Sequence, residues 1–214
     1  MISDERLLTV EDLTVCRGGV TLVSDLSFQV CQGKALWVRG RNGAGKTSLL
    51  RTVCGLQPPE RGRVSWAPHT RTAAASRAPC LYLGHRLGLH GDLTVLEGLR
   101  FLDQLQGGVH VDEAYLLALD VLGLRARHHL PIRLLSEGQR KRVALARLAL
   151  SAGTGVWVLD EPMDALDVEV LRVVHGLLED HLQTGGGILL TSHIPLTLNP
   201  GRLEQLCLDG EEAP

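Results

Sequence analysis

Ala35-Leu36-Trp37-Val38-Arg39-Gly40-Arg41-Asn42-Gly43-Ala44-Gly45-Lys46-Thr47-Ser48-Leu49-Leu50 decides the fold. Residues 35–38 are a compact apolar run, the kind that forms a strand buried on both faces. Residues 40–47 match G-x-x-x-x-G-K-[ST] at every fixed position, and residues 48–54 have helical character, closed by Gly55. Glycines admit positive φ and close backbone approach, so successive N–H groups can point into one concavity. The helix start at Lys46, Thr47 and Ser48 adds roughly half a positive charge at the anion. Lys46 can reach β- and γ-phosphates, and the Thr47 hydroxyl suits Mg²⁺. The segment predicts binding of a nucleoside triphosphate.

Working outward, Leu8, Val10, Leu13 and Val15 nearly alternate, and Leu26, Phe28 and Val30 keep strict period two. These predict strands over 7–39, turned at Gly18-Gly19 and Gln32-Gly33. Residues 68–79 read as a loose connection and 80–83 as a further strand. From Leu93 to Leu150 the period changes: Leu96, Leu99 and Leu102, then Tyr115, Leu119 and Leu122, recur at helical spacing. Strand character returns at 156–159 and 188–190, with a helix over 168–182 between them. The pattern predicts one α/β domain over 1–214, its core from 1–84 and 152–214 and a helical insertion over 85–151.

Val156-Trp157-Val158-Leu159-Asp160-Glu161-Pro162 delivers two carboxylates at the end of a buried strand, the edge where parallel sheets bind ligands. Asp160 is suited to holding Mg²⁺ through water, and Glu161 to polarising an attacking water. Alone, the pair reads more readily as an ordinary polar strand end; the phosphate loop gives it meaning.

Composition narrows the classes. The 214 residues carry 22 Lys plus Arg against 24 Asp plus Glu, a formal charge of −2, so no basic field favours nucleic acid. Aromatics at 3 % are too few for base-stacking platforms. Nothing approaches the ~20 apolar residues of a membrane helix, and residues 1–6 do not resemble a secretory leader. Cys16, Cys31, Cys54, Cys80 and Cys207 are odd in number with no C-x-x-C pair, which argues for reduced thiols over disulfides or zinc. There is no C-x-x-C-H, and His128-His129 sits beside Arg125 and Arg127 in a predicted exposed connection. No direct haem binding is expected.

The phosphate loop, Leu135-Ser136-Glu137-Gly138-Gln139, Asp160-Glu161, Met163-Asp164-Ala165-Leu166-Asp167 and Thr191-Ser192-His193 occur in that order. Read alone, Ser136 is a plain helix N-cap and His193 a surface residue. Together the five segments resemble the nucleotide-binding subunits of ABC transporters. The resemblance implies a P-loop NTPase fold of ABC-ATPase type, with a mainly parallel core, an antiparallel N-terminal β-subdomain and an inserted helical subdomain. It implies ATP and Mg²⁺ as ligands and a head-to-tail homodimer with two ATP molecules at the interface. Ser136, Gly138 and Gln139 would contact ATP held by the other copy's residues 40–48. Asp164 and Asp167 would form the loop joining the two sites, and His193 would contact the γ-phosphate and orient Glu161.

Three positions depart from the family pattern. Glu137 stands where glycine is common; repelled by phosphate, it is expected to turn towards Arg140 or Lys141. The segment Val15-Cys16-Arg17-Gly18-Gly19 lacks the aromatic that stacks on adenine, leaving Arg17 as either a stacking guanidinium or a solvated turn residue. After strand 80–83 the family places glutamine, and here Gly84-His85 stands instead. That pair, with Gly185-Gly186-Gly187-Ile188 and His193-Ile194-Pro195-Leu196, is similar to the branch serving haem export in cytochrome c biogenesis. The branch implies CcmB- and CcmC-like integral membrane partners and a peripheral place on the cytoplasmic face of the inner membrane. An importer subunit for another solute and a soluble ATPase of iron–sulfur assembly remain as alternatives.

Overall fold

The computed structural model describes residues 5–67, 80–151 and 155–209. The loose connection expected over 68–79, the leader reading of residues 1–4 and the boundary expected at 152 lie outside these residues. β1 (Arg6–Arg17) and β2 (Val20–Cys31) form an antiparallel hairpin whose turn, Gly18-Gly19, has φ of 58° and 79°. Two consecutive positive φ values match the right-handed twist of the strands, and glycine adopts them without steric cost. β4 (Arg61–Trp66) pairs with the other edge of β1, giving a three-stranded sheet β2-β1-β4.

The second sheet is parallel and five-stranded. β3 (Ala35–Arg39), β5 (Cys80–Leu83), β6 (Val156–Asp160), β7 (Gly187–Thr191) and β8 (Leu203–Cys207) run in the order β5-β6-β7-β3-β8. Every residue of β6 and β7 is buried, which is why 156–159 and 188–190 read as continuous apolar runs without alternation. Register places Asp160 beside Thr191 and Val38 beside Thr191, so three strand ends converge at one edge.

Helices cover both faces. α1 (Lys46–Val53) buries Leu49, Leu50 and Val53 between the two sheets, against Leu8, Val10, Val158 and Leu189. The opposite face packs Trp157, Leu159, Ile188 and Leu190 against α5 (Val168–Gln183) and α4 (Glu137–Leu150). There Trp157 stacks on His181 with ring centroids 3.8 Å apart and 10° between planes. Burial drives the His181 pKa down to about 4, so the imidazole is neutral and pairs its Nε2 with Gly187 O at 3.2 Å.

α2 (Val95–Gln104) and α3 (Asp112–Val121) complete the helical segment with α4. Thr94 and Glu97 form a reciprocal capping box that starts α2. Between α2 and α3, Asp103 Oδ2 accepts from Tyr115 Oη at 2.9 Å and lies 2.9 Å from His110 Nδ1. Buried Arg147 of α4 reaches back to Tyr82 O of β5 at 3.4 Å. Among the described residues, no helix is long and apolar enough to cross a membrane.

Candidate active site

The phosphate loop leaves β3 at Gly40 and enters α1 at Lys46, with positive φ at Gly43 (87°) and Gly45 (95°). A side chain at Gly45 would be strained by that φ, and its Cβ would come within 2.9 Å of Leu22 Cβ. Glycine therefore lets the β1–β2 hairpin lie directly on the loop. Gly45 is also the N-cap of α1 and supplies no side-chain cap, so the first-turn N–H groups remain suited to an anion. Lys46 Nζ lies back over the loop, donating to Gly40 O at 2.7 Å and Arg41 O at 3.2 Å.

A hollow of about 330 Å³ opens above this loop. Asn42, Gly43, Gly45, Lys46, Thr47 and Ser48 form its floor, Arg17 and Leu22 one wall, and Glu161 and His193 another. Gly40 and Arg41 instead line an adjoining hollow of about 490 Å³ that shares Lys46 and His193. Ala44 lines neither. The structure thus brings Arg17, the loop and the two catalytic candidates around one space.

Asp160 ends β6 beneath this space. Its Oδ1 accepts from Thr47 Oγ1 at 3.1 Å and from Thr191 Oγ1 at 3.0 Å. Its Oδ2 is buried with no hydrogen-bond partner. An unfilled buried acceptor costs about 1–3 kcal/mol, and a divalent cation beside Thr47 would satisfy it. The donor set therefore fits Mg²⁺.

Glu161 holds a left-handed backbone, φ 52°. Its N–H donates to Thr191 Oγ1 at 3.0 Å, and its carbonyl accepts from Lys141 Nζ at 2.6 Å. The carboxylate accepts from His193 N–H at 3.1 Å (Oε2), while Oε1 lies 3.4 Å from His193 Nε2. Burial raises the Glu161 pKa; the His193 charge and its N–H oppose this, and neighbouring Asp164 adds to it.

The remaining sequence-predicted residues lie elsewhere. Ser136 is the N-cap of α4, its Oγ accepting from Gln139 N–H at 3.2 Å while Gln139 Oε1 accepts from Ser136 N–H at 3.0 Å. Ser136, Gly138 and Gln139 line neither hollow of their own chain. Glu137, expected to turn towards Arg140 or Lys141, acts on Lys141 through its charge without a direct hydrogen bond to either. Arg140 donates to Leu135 O and Arg133 O, and Lys141 to Glu161 O, because those carbonyls are acceptors with no helical partner. Asp167 caps α5 through Val170 N–H at 2.9 Å and pairs with Arg142. Those contacts hold its carboxyl below the usual carboxylate range. Asp164 lies half-buried in the turn after β6. His85 is exposed beyond β5, outside the hollow.

Sequence reasoning missed Thr191 and Lys141. Thr191 is the one polar residue in the buried β7, and Lys141 is one of three lysines in an arginine-rich chain. Both signals were present, but neither names its partner.

Residues 23–164 match the ABC transporter family. The chain superposes on a solved ATP-binding subunit of an ABC transporter with TM-score 0.74 and 25 % identity, covering 88 % of this chain and 80 % of that one. With a P-loop fold and a phosphate cradle facing an Asp-Glu strand end, the chain belongs to the ABC transporter family as an ATP-binding subunit. Among its curated relatives are proteins named cytochrome c biogenesis ATP-binding export protein CcmA. The protein of that name from Nitrosomonas europaea is 42 % identical over 94 % of this chain and 95 % of its own. The one from Nitrosospira multiformis is 43 % identical over 92 % and 96 %.

Proposed function

We propose that this subunit hydrolyses ATP to power an exporter in cytochrome c biogenesis, driving haem export or release of a haem-loaded chaperone. The observation that carries the reading is the Glu161 carboxylate, held by His193 at the wall of a hollow whose floor is the phosphate loop. The shared name of relatives aligned over nearly the whole chain supports the biological setting.

The triphosphate lies along residues 40–48, its charge met by backbone N–H groups and the α1 terminus. Lys46 leaves the Gly40 and Arg41 carbonyls for the β- and γ-phosphates. Thr47 and Asp160 would hold Mg²⁺, which when bound neutralises charge on the phosphates. Glu161 orients and deprotonates the attacking water, and a pKa raised by burial makes it a stronger base. His193 fixes that carboxylate and meets the γ-phosphate.

The second half of the site comes from another copy. Ser136, Gly138 and Gln139 present a helix N-terminus to the ATP on the partner, and Asp164 and Asp167 lie in the loop joining the two sites. The helical insertion over 85–151, with His85 at its entrance, carries the resulting motion to CcmB- and CcmC-like membrane subunits. The chain sits peripherally on the cytoplasmic face of the inner membrane, and haem itself is handled by the partners.

Affinity purification of the full chain from detergent-solubilised membranes, followed by an ATP turnover assay, tests the reading. Integral membrane proteins and magnesium-dependent turnover are expected together. Recovery of the chain with no membrane protein, or stoichiometric haem bound through one of its histidines, would overturn it.

A further inference from the structure

Glu161 adopts φ 52°, a conformation that costs a non-glycine residue of the order of 1–3 kcal/mol and persists only where its surroundings impose it. Two side chains hold the peptide groups on either side of the residue, and the Asp164 N–H also reaches its carbonyl at 3.5 Å. Thr191, fully buried at the end of β7, takes the Glu161 N–H on its hydroxyl oxygen at 3.0 Å. The same hydroxyl gives its proton to Asp160 Oδ1, also at 3.0 Å. Lys141, one turn into α4, donates to the Glu161 carbonyl at 2.6 Å.

We infer that Thr191 and Lys141 form a backbone clamp that positions Glu161 for catalysis, and that Lys141 ties that position to the Ser136 end of α4. Neither side chain touches the substrate space; both act through the two peptide groups flanking Glu161. Each belongs to an element that also delivers another site residue. β7 leads into His193, and α4 begins at the Ser136 cap, five residues before Lys141. A shift of α4 when its N-terminus engages nucleotide is therefore transmitted to Glu161 through a single hydrogen bond. Burial lowers the Lys141 pKa, and the charges of Asp164, Glu161, Glu137 and Asp160 around its ammonium oppose that shift.

The inference rests on ATP hydrolysis by Glu161 and is tested so that the two can fail separately. Thr191→Val keeps shape and removes the hydroxyl, Thr191→Ser keeps the hydroxyl, and Lys141→Gln keeps a donor of shorter reach. In the membrane-bound assembly, Thr191→Val and Lys141→Gln are expected to lower kcat tenfold or more, since a misplacement near 1 Å costs about 10²-fold. The KM for ATP should stay within about threefold, and Thr191→Ser should keep most of the rate. Independently of turnover, amide hydrogen exchange at Glu161 should accelerate about tenfold or more in full-length Thr191→Val, because its N–H loses its acceptor. Wild-type assembly with no ATP turnover would overturn both readings. Wild-type turnover with Thr191→Val and Lys141→Gln at full rate, or unchanged exchange at Glu161, would overturn the clamp alone. Should Thr191→Val not fold, Lys141→Gln carries the kinetic test.

Discussion

Lys46 holds two carbonyls of its own loop, and in the proposed mechanism nucleotide binding exchanges those hydrogen bonds for stronger ones to phosphate oxygens. Lys46→Ala is expected to lower turnover by about 10²–10³-fold, the scale of removing one preorganised donor to developing charge, as read by steady-state kinetics. In the proposed mechanism Glu161 sets the pH dependence. As a base it works only when ionised, and burial has moved its pKa upward. The acid limb of the kcat profile should therefore lie at higher pH than an exposed glutamate would give. A limb in the range of an ordinary carboxylate, about 4.3, would show that another group governs the rate. At the base end, Arg17 and Leu22 form the wall of the hollow where an aromatic ring is absent. A guanidinium stacks on any purine face, so GTP should compete with ATP within about tenfold in equilibrium binding, since the face carries no base-specific hydrogen bond. Strong rejection of GTP would place a specificity-determining contact elsewhere.

The elements show what a sequence reveals and what it withholds. The phosphate loop between β3 and α1 is legible because its glycines, lysine and threonine are local requirements of one short turn. β6 and β7 are legible as buried strands because every position is apolar up to the polar end. The capping boxes at Thr94 and Ser136 also carry sequence signatures, a hydroxyl three residues before Glu97 or Gln139. Contacts across elements are not legible. Asp167 caps α5 and pairs with Arg142 of α4, Lys141 reaches Glu161 just beyond β6, and Arg140 donates to the carbonyls of Arg133 and Leu135. Those partners are set by how helices pack on strands, which spacing along the chain does not encode. The Asp103–Tyr115–His110 group between α2 and α3 is of this kind. The Tyr115 hydroxyl, its pKa pushed up to about 12 by burial and by Asp103, stays protonated and donates to a buried carboxylate. Tyr115→Phe should cost about 1–3 kcal/mol by leaving Asp103 short of a donor. For a chain of this length each kcal/mol lowers Tm by about 2–4 °C, measurable by thermal unfolding. An unchanged Tm would mean that His110 alone satisfies Asp103.

Across the whole molecule, two sheets share α1 and place three strand ends under one hollow, while the Ser136 end of α4, proposed to meet the partner's nucleotide, lines neither hollow of its own chain. Stability of this core should depend on acid. His181 is buried, with its pKa depressed from 6.5 to about 4, so its contribution is complete above pH 6.5 and lost as pH falls towards 4. By pH 5 the loss amounts to about 2 kcal/mol, and His181→Gln should flatten the fall in Tm between pH 6.5 and 5. The geometry of α4 bears on the central claim, that ATP is closed between two copies of this chain. Sedimentation of Glu161→Gln with ATP and Mg²⁺ tests that claim most directly. A nucleotide-dependent dimer holding two ATP molecules is the predicted result; a chain that binds ATP yet stays monomeric would contradict it.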